Sequence, residues 1–540
     1  MFQWLKKKVK LMLHNQYSHG QTQQNDNSTS KNESVSQNQT KPVYKNVYKN
    51  AEEMKRILGE NEGVFNRTFT IGKKNGKFAY IFAVSGMVDT KVINENILSP
   101  LMNLELPNNP SETVQFLKYL KESVLTISEV EFEENLLLIP QIIFTGKVIL
   151  FIDAEEKALV IDAQAMDVRG IEQSVNESVL RGARDAFNED IGTNLSLVRR
   201  RIRDPKLHCE PMIIGKQTHT KVVITYIDGI VNKDILNEVK KRINNIQIDS
   251  VLESGVIEQL IEDAPYSLFP TIGNVEKPDT VAAELLEGRV AIFVDGTPFV
   301  LTVPHLLINH FQVAEDYYSR PIYSNFVRLL RILSFFISVM LPGVFVAFQY
   351  YHSILIPFDL LITLAKERAE VPFQLIVETI GMLIVFEIIK ESGLRMPKPI
   401  GQAVSIVGAL ILGEAAVQAG LVGIPVVVTI AIVGIASFPV STLGEAISIL
   451  RILFVFAGAA LGLFGILILG MVVVSHLASL RSFGVPYSAP LFPINLGDLK
   501  DSIIRFPLSL LVRRPLTFKT ENQTNQSLGG ASGEGERGKK

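Results

Sequence analysis

Glu414 is the only Lys, Arg, Asp or Glu between Pro399 and Gly444, a stretch of 46 residues. A carboxylate at membrane depth is costly unless it faces water, an ion path or a hydrogen-bonding partner. Residues 400–419 around it are rich in Gly, Ala and Ser, which let helices approach closely. At about 100° per residue, Gln418 lies about 40° from Glu414 around a helix and Gln402 about 120° away. Only Gln418 shares its face closely. A ring of such helices would present Glu414 and Gln418 to a cation-conducting lumen. The alternative is a protonated carboxyl bonded to a neighbouring helix, and the sequence is compatible with both.

Glu378 and Glu387 interrupt a second apolar run, Val371 to Ile389. Nine residues apart, they fall on opposite faces of a helix. Glu378 is the intramembrane polar residue of this run, and Glu387, close to Lys390, reads as interfacial. Gly458 and Gly462 form a GxxxG pair in the last apolar run, a pattern that favours helix packing. His476, near the end of that run, also reads as interfacial. There is no HExxH, P-loop, GxGxxG or GxSxG motif. None of the eight histidines pairs with Cys or an acid at metal-ligand spacing. No catalytic residue, metal site or cofactor is expected.

These residues need membrane helices to position them. A bilayer core takes about 20 apolar residues as helix. Ile332 to Phe358, Pro399 to Gly444 and Ile452 to Leu480 meet that length, the second being long enough for two helices with a turn near Gly420–Pro425. Adding the run at 371–389 gives about five spans within 321–482. Residues 356–372 read as an interfacial amphipathic piece, and 483–520 as an amphipathic C-terminal segment. Arg320, Arg328 and Arg331 precede the first span, and Arg481, Lys500, Arg505, Arg513 and Arg514 follow the last. The positive-inside rule puts both ends on the cytoplasmic side. Two ends on one side require an even number of spans, against five counted. Either one run is re-entrant or a boundary is misplaced.

The remaining sequence has a different character. The 540 residues carry 53 Lys plus Arg and 55 Asp plus Glu, a net charge of -2, which argues against a nucleic-acid binder. A single cysteine excludes a disulfide framework. Mean hydropathy is +0.24, and the apolar residues are unevenly spread. Residues 1–50 carry eight lysines against Asp26 and Glu33 and are rich in Asn, Gln, Ser and Thr. They read as a disordered polar extension, as does the Gly-rich tail 521–540. Between them, 51–205 and 206–320 alternate β-rich and helical stretches and read as two α/β subdomains. Gly146–Asp153 (GKVILFID) aligns with Gly288–Asp295 (GRVAIFVD), identical at four of eight positions. Upstream, Val88-Asp89 matches Ile227-Asp228, so the subdomains, about 75–170 and 220–305, read as duplicates. A connecting helix within 181–203 ends in Arg199, Arg200, Arg201 and Arg203. Cations there complement the helix dipole. They form either a solvated basic end or a contact for an anionic partner.

The fold class is thus an α/β soluble N-terminal region of two related subdomains, followed by an α-helical multi-span membrane bundle. RGARDAFNEDIGTNLSLVRRRI (181–202), EGRVAIFVDGTPFVLTVP (287–304), EDYYSR (315–320) and ESGLRMPKPIGQAVSIVGALILGEAAVQAG (391–420) closely resemble the A subunits of spore nutrient-germinant receptors of endospore-forming bacteria. The resemblance covers about residues 50–515. It implies the spore inner membrane, with the N-terminal domain on the core side. It also implies partners: a transporter-like B subunit, a lipoprotein C subunit and further copies of the chain. The activity implied is that of an oligomeric nutrient-gated cation channel that triggers germination. A non-conducting scaffold and a related ion-release amplifier are the alternatives. A secondary transporter is disfavoured, because the only repeat found is soluble rather than among the apolar runs.

Overall fold

The structure is a computed structural model. It describes residues 40–59, 61–73, 76–105, 113–164, 181–395, 413–495 and 497–525. The extension 1–39 and the tail 526–540 lie outside the described residues.

The first lobe holds helix α1 (Val47–Leu58), strands β1 (Val64–Ile71) and β2 (Lys77–Val84), helices α2 (90–102) and α3 (113–124), strand β3 (Val130–Glu133), helix α4 (Ile139–Ile143), and strands β4 (Lys147–Ile152) and β5 (Ala158–Asp162). The second lobe follows with α5 (Ile191–Arg201), β6 (Leu207–Ile214), β7 (Thr220–Ile227), α6 (Lys233–Asn244), α7 (Ser254–Ile261), β8 (Gly273–Val275), α8 (Pro278–Leu286), β9 (Val290–Val294) and β10 (Val300–Val303). The sheets have the orders β1-β2-β4-β5-β3 and β6-β7-β9-β10-β8, one order displaced by five strands. All neighbouring strands are antiparallel. Helices cover both faces of each sheet. That is why strands such as FAYIFAV read as continuous apolar runs rather than alternating ones.

The duplication extends to hydrogen bonds. In lobe 1, Asn50 Nδ2 donates to the Tyr44 carbonyl and Asn50 Oδ1 accepts from the Tyr44 amide, at 2.6 and 2.8 Å. In lobe 2, Asn194 makes the same clasp with Asn188, at 2.6 and 2.9 Å. Asp153 accepts from the first amide of α1, Val47. Its counterpart Asp295 accepts from the first amide of α5, Ile191. Gly86 and Gly229 both sit at φ +77° after their β2 or β7 strand.

Ordered structure starts earlier than the expected boundary at 51. Asn46 caps α1, Val43 and Val47 are buried, and Val43 N–H donates to the Glu134 carbonyl. At the other end residues 521–525 are tied to the arm before them. The Arg514 amide donates to Gln523, and the Asn525 amide to Val512. Residues 40–50 and 521–525 therefore belong to the folded protein, because each lends backbone groups to a neighbouring segment.

Beyond α9 (Glu315–Tyr318) come α10 (Pro321–Tyr351), α11 (Phe358–Ala369), α12 (Leu375–Arg395), a short helix at 413–418, α13 (Ile424–Ser437) and α14 (Gly444–Ser479). Among the described residues two continuous helical stretches are long and apolar enough to cross a membrane, Pro321–Tyr351 and Ile424–Ser479. The second stretch is not one rod. Backbone angles leave the helical range at Val440, and again at Gly462 with φ +63° and ψ -146°. A side chain on Gly465 would collide with the Ala457 carbonyl. Residues eight apart can touch only if the chain reverses, so α14 is a helical hairpin with halves 444–461 and 463–479. At about 1.5 Å per residue each half is about 26 Å long.

α10 leaves the lobes, and α12 returns from Tyr350, whose hydroxyl accepts from the Ile376 amide, to Ser448, which receives Lys390. α13 follows the direction of α12, pairing Gly423 with Glu378 and Gly434 with Phe386. The first half of α14 runs out to Tyr351 and the second comes back, His476 meeting Ser267 of lobe 2 at 3.0 Å. The expected last span is thus two antiparallel helical halves, the second of which returns to lobe 2.

Candidate functional site

The short helix at 413–418 carries the expected pair. Gln418 Nε2 donates to Glu414 Oε1 at 3.1 Å, and both side chains are exposed. Ala416, on the opposite face, packs into the core formed by α12, α13 and their neighbours. Gly413 lies against Val427 in the first turns of α13, and Gly420 lies beside the Glu370 carbonyl. The Glu414 carboxylate therefore sits toward the end of the bundle distant from the lobes and faces away from its own chain. Gln402 and the rest of the small-residue run up to 412 lie outside the described residues.

Glu378 has a different environment. It is buried, and its Oε1 accepts from the Gly423 amide, the N-cap of α13. A carboxylate at a helix N-terminus satisfies an orphan N–H and complements the helix dipole. Glu378 thus pins α12 to the start of α13. Glu387, at the other end of α12, accepts from Lys390 at 2.8 Å and from Ser448, and lies 3.6 Å from Arg451. Arg451 is 2% exposed, and its guanidinium stacks on Phe386 with 5.5 Å to the ring centre. Sequence reading missed Arg451 because it stands one residue before the uncharged window that begins at Ile452.

The two glycines of the GxxxG pair act differently. Gly458 lies against Gly343 of α10, and a Cβ on either would strike the partner helix backbone. That contact seats the first half of α14 on α10. Gly462 instead makes the reversal. Tyr351 Oη donates to the carbonyls of Ala459 and Ala460 at 2.9 and 3.0 Å, and His352 Nε2 accepts from the Leu463 amide at 3.3 Å. Broken backbone at membrane depth needs such substitutes for the lost helix bonds.

The arginine cluster is mostly spent inside the chain. Arg199 is 1% exposed and donates to Asn61 Oδ1 at 2.9 Å and to the Glu62 carbonyl. Asn61 also bonds the Leu207 carbonyl and the Cys209 amide, which joins the two lobes. Arg201 pairs with Asp185 at 2.6 Å. Arg203 is exposed and Arg200 half-buried.

Where lobe 2 meets the bundle, a second ionic group is buried. Asp316 accepts from Arg331 at 2.8 and 2.9 Å and from Arg328 at 3.3 Å. Arg328 also reaches the Asp501 and Ser502 carbonyls, and Arg505 donates to the Asp316 and Ser319 carbonyls. Tyr317 Oη donates to Asp501 at 2.8 Å. Burial pushes the Asp501 carboxyl up to about 6 despite Arg328 beside it. The junction thus ties the α9–α10 corner to the C-terminal arm. Among the described residues no group of three or more His, Cys, Asp or Glu is placed to hold a metal.

Residues 52–517 match the family described as Bacillus/Clostridium GerA spore germination protein. Spore germination protein KA of Bacillus subtilis (strain 168) is 41% identical over 481 residues, 88% of each chain. Spore germination protein GerLA of Bacillus cereus is 36% identical, covering 89% of this chain and 97% of that one. Among solved structures, the N-terminal domain of the A subunit of the Bacillus megaterium spore germinant receptor GerK3 is 37% identical, with a TM-score of 0.41, over 50% of this chain and 98% of that one. The chain belongs to the GerA family of spore germination proteins.

Proposed function

We propose that this chain is the membrane subunit of a nutrient-germinant receptor and that several copies form a nutrient-gated cation channel in the spore inner membrane. B-type and C-type subunits would assemble with it, and the lobes would lie on the core side. The observation that carries the channel reading is the outward pairing of Gln418 with Glu414. No part of the described chain covers that carboxylate, so it needs water, a cation or another copy. Copies arranged about an axis would bring these carboxylates into a ring, as acidic rings do in cation pores. The test is cation flux in liposomes holding the chain with its partner subunits. Glu414→Gln is expected to change conductance or selectivity while assembly is retained. Unchanged currents in an intact assembly would remove Glu414 from the ion path.

A non-conducting scaffold is the second reading. It is favoured by one observation: the core of lobe 2 runs without interruption into α10 and α14. Absence of flux with all partners present and folded would select it.

A further inference from the structure

A cavity of about 380 Å³ lies between α8, residues 309–318 and the C-terminal arm 497–525. Its size is within the range of small-molecule sites. Its charges are unevenly matched. Every acid on its wall is engaged. Asp279 accepts from Tyr318 at 2.8 Å, and Glu284 and Glu287 bond Arg289 at 2.9 and 3.0 Å. Asp498 accepts from the Leu516 and Thr517 amides, and Asp501 from Tyr317 and Arg328.

Of the cations on the wall, Arg289 is engaged in this way, whereas three others meet no carboxylate. Arg514 is 9% exposed, and its bonds go only to carbonyls, those of Leu286, Asn522 and Thr524. Burial lowers its proton affinity below the ordinary arginine range, and no carboxylate offsets that effect. Lys500 and Arg513 also line the cavity, and neither has a side-chain partner among the described residues. Leu508, Leu511 and Pro515 supply an apolar wall. Arg513 is exposed and Lys500 half-buried, so Arg514 is the buried charge without a counter-charge; such a charge is costly, and a bound anion would supply the counter-charge.

We propose that this cavity binds a small organic anion, a carboxylate or phosphate on a compact apolar body, held by Lys500, Arg513 and Arg514. The arm that carries these cations also supplies Asp501 and Ser502 to Arg328 of α10. A bound anion would therefore fasten lobe 2 to the arm at the entrance of the bundle. The site is independent of whether the bundle conducts.

The test is calorimetric titration of the full chain in neutral detergent with benzoate and with inorganic phosphate, benzamide being the uncharged control. Saturable binding of benzoate or phosphate, without benzamide binding, is expected. Lys500→Gln with Arg513→Gln should weaken it about tenfold or more, because charge-assisted hydrogen bonds are lost. Arg513→Lys should bind within about threefold of the original chain, since the charge is kept. Neither residue bonds the fold, and unchanged thermal unfolding of the variants checks this. Should the double variant unfold early, Arg513→Gln alone serves. Failure of both anions to bind, binding that the variants leave unchanged, or equal binding of benzamide would overturn the proposal. The source is decided in nanodiscs. Displacement of benzoate by added phosphatidylglycerol identifies a lipid headgroup, and undiminished benzoate binding identifies a free anion.

Discussion

The two lobes are copies in topology and opposites in attachment. Both place five strands in the same order, start their first helix on an Asp and clasp a buried Asn to the backbone six residues earlier. Lobe 1 closes its two cores with its own helices. Lobe 2 closes only one core that way. Its other core, behind α6 and α7, continues into Val339, Phe454 and Ile466 of the bundle. The difference shows how a duplicated module takes two tasks without changing its sheet. One copy is a self-contained body held by Arg199 and Asn61. The other is the base on which the membrane helices are mounted.

The strongest way to break this contrast is Asp316→Ala, which leaves Arg328 and Arg331 buried without their shared carboxylate. Stability of the lobe 2–bundle unit should fall by about 3–5 kcal/mol, read by thermal unfolding in detergent. A loss below about 1 kcal/mol would show that the apolar core alone mounts the bundle. Arg199→Gln comes next. It removes charge-assisted bonds to Asn61 and Glu62 at about 1.5–3 kcal/mol. Limited proteolysis should then separate lobe 1 from lobe 2 while lobe 2 stays with the bundle, and simultaneous loss of both lobes would contradict the two attachments.

Asn50→Ala and Asn194→Ala sharpen the likeness rather than the difference. Each leaves a partly buried amide and carbonyl unpaired, at about 1–3 kcal/mol. Similar costs are expected in the two lobes, and a large disparity would mean that the bundle supports the second clasp. The smallest effect concerns pH. The Asp501 carboxyl is raised from 3.8 to about 6 in the folded chain. The stability it contributes is complete below pH 3.8 and is lost as pH rises through about 6. Unfolding temperature should therefore decline over that window through this group. Asp501→Asn should flatten that part of the profile by an amount of the order of 1 kcal/mol, and an unaltered profile would remove Asp501 from the coupling.

Much of the fold was legible along the chain. The GKVILFID and GRVAIFVD segments became β4 and β9 in equivalent places, because strand pairing and covering helices impose the same pattern on both copies. The turn expected near Gly420–Pro425 lies where helix 413–418 ends and α13 begins. The 40° offset of Gln418 from Glu414 became a hydrogen bond, since helix geometry alone fixes neighbours four residues apart. Other features were not legible. Four arginines in five positions look alike in sequence, yet Arg199 is buried and Arg203 exposed, because the packing of one lobe on the other selects the face. Two glycines of one GxxxG pair parted into a helix contact and a chain reversal, because Tyr351 and His352 at the end of α10 receive the backbone groups freed at Gly462.

The sequence by itself determined the local and periodic properties: two copies of a strand pattern, apolar helices of membrane length and a carboxylate beside a glutamine on one helix face. The tertiary structure alone decided which charges are buried, where the last apolar run turns back and which lobe carries the bundle. The physical reason is range. Pattern and helix geometry act over a few residues, whereas burial and charge pairing depend on partners far along the chain, as Arg328 does on Asp501, 173 positions away.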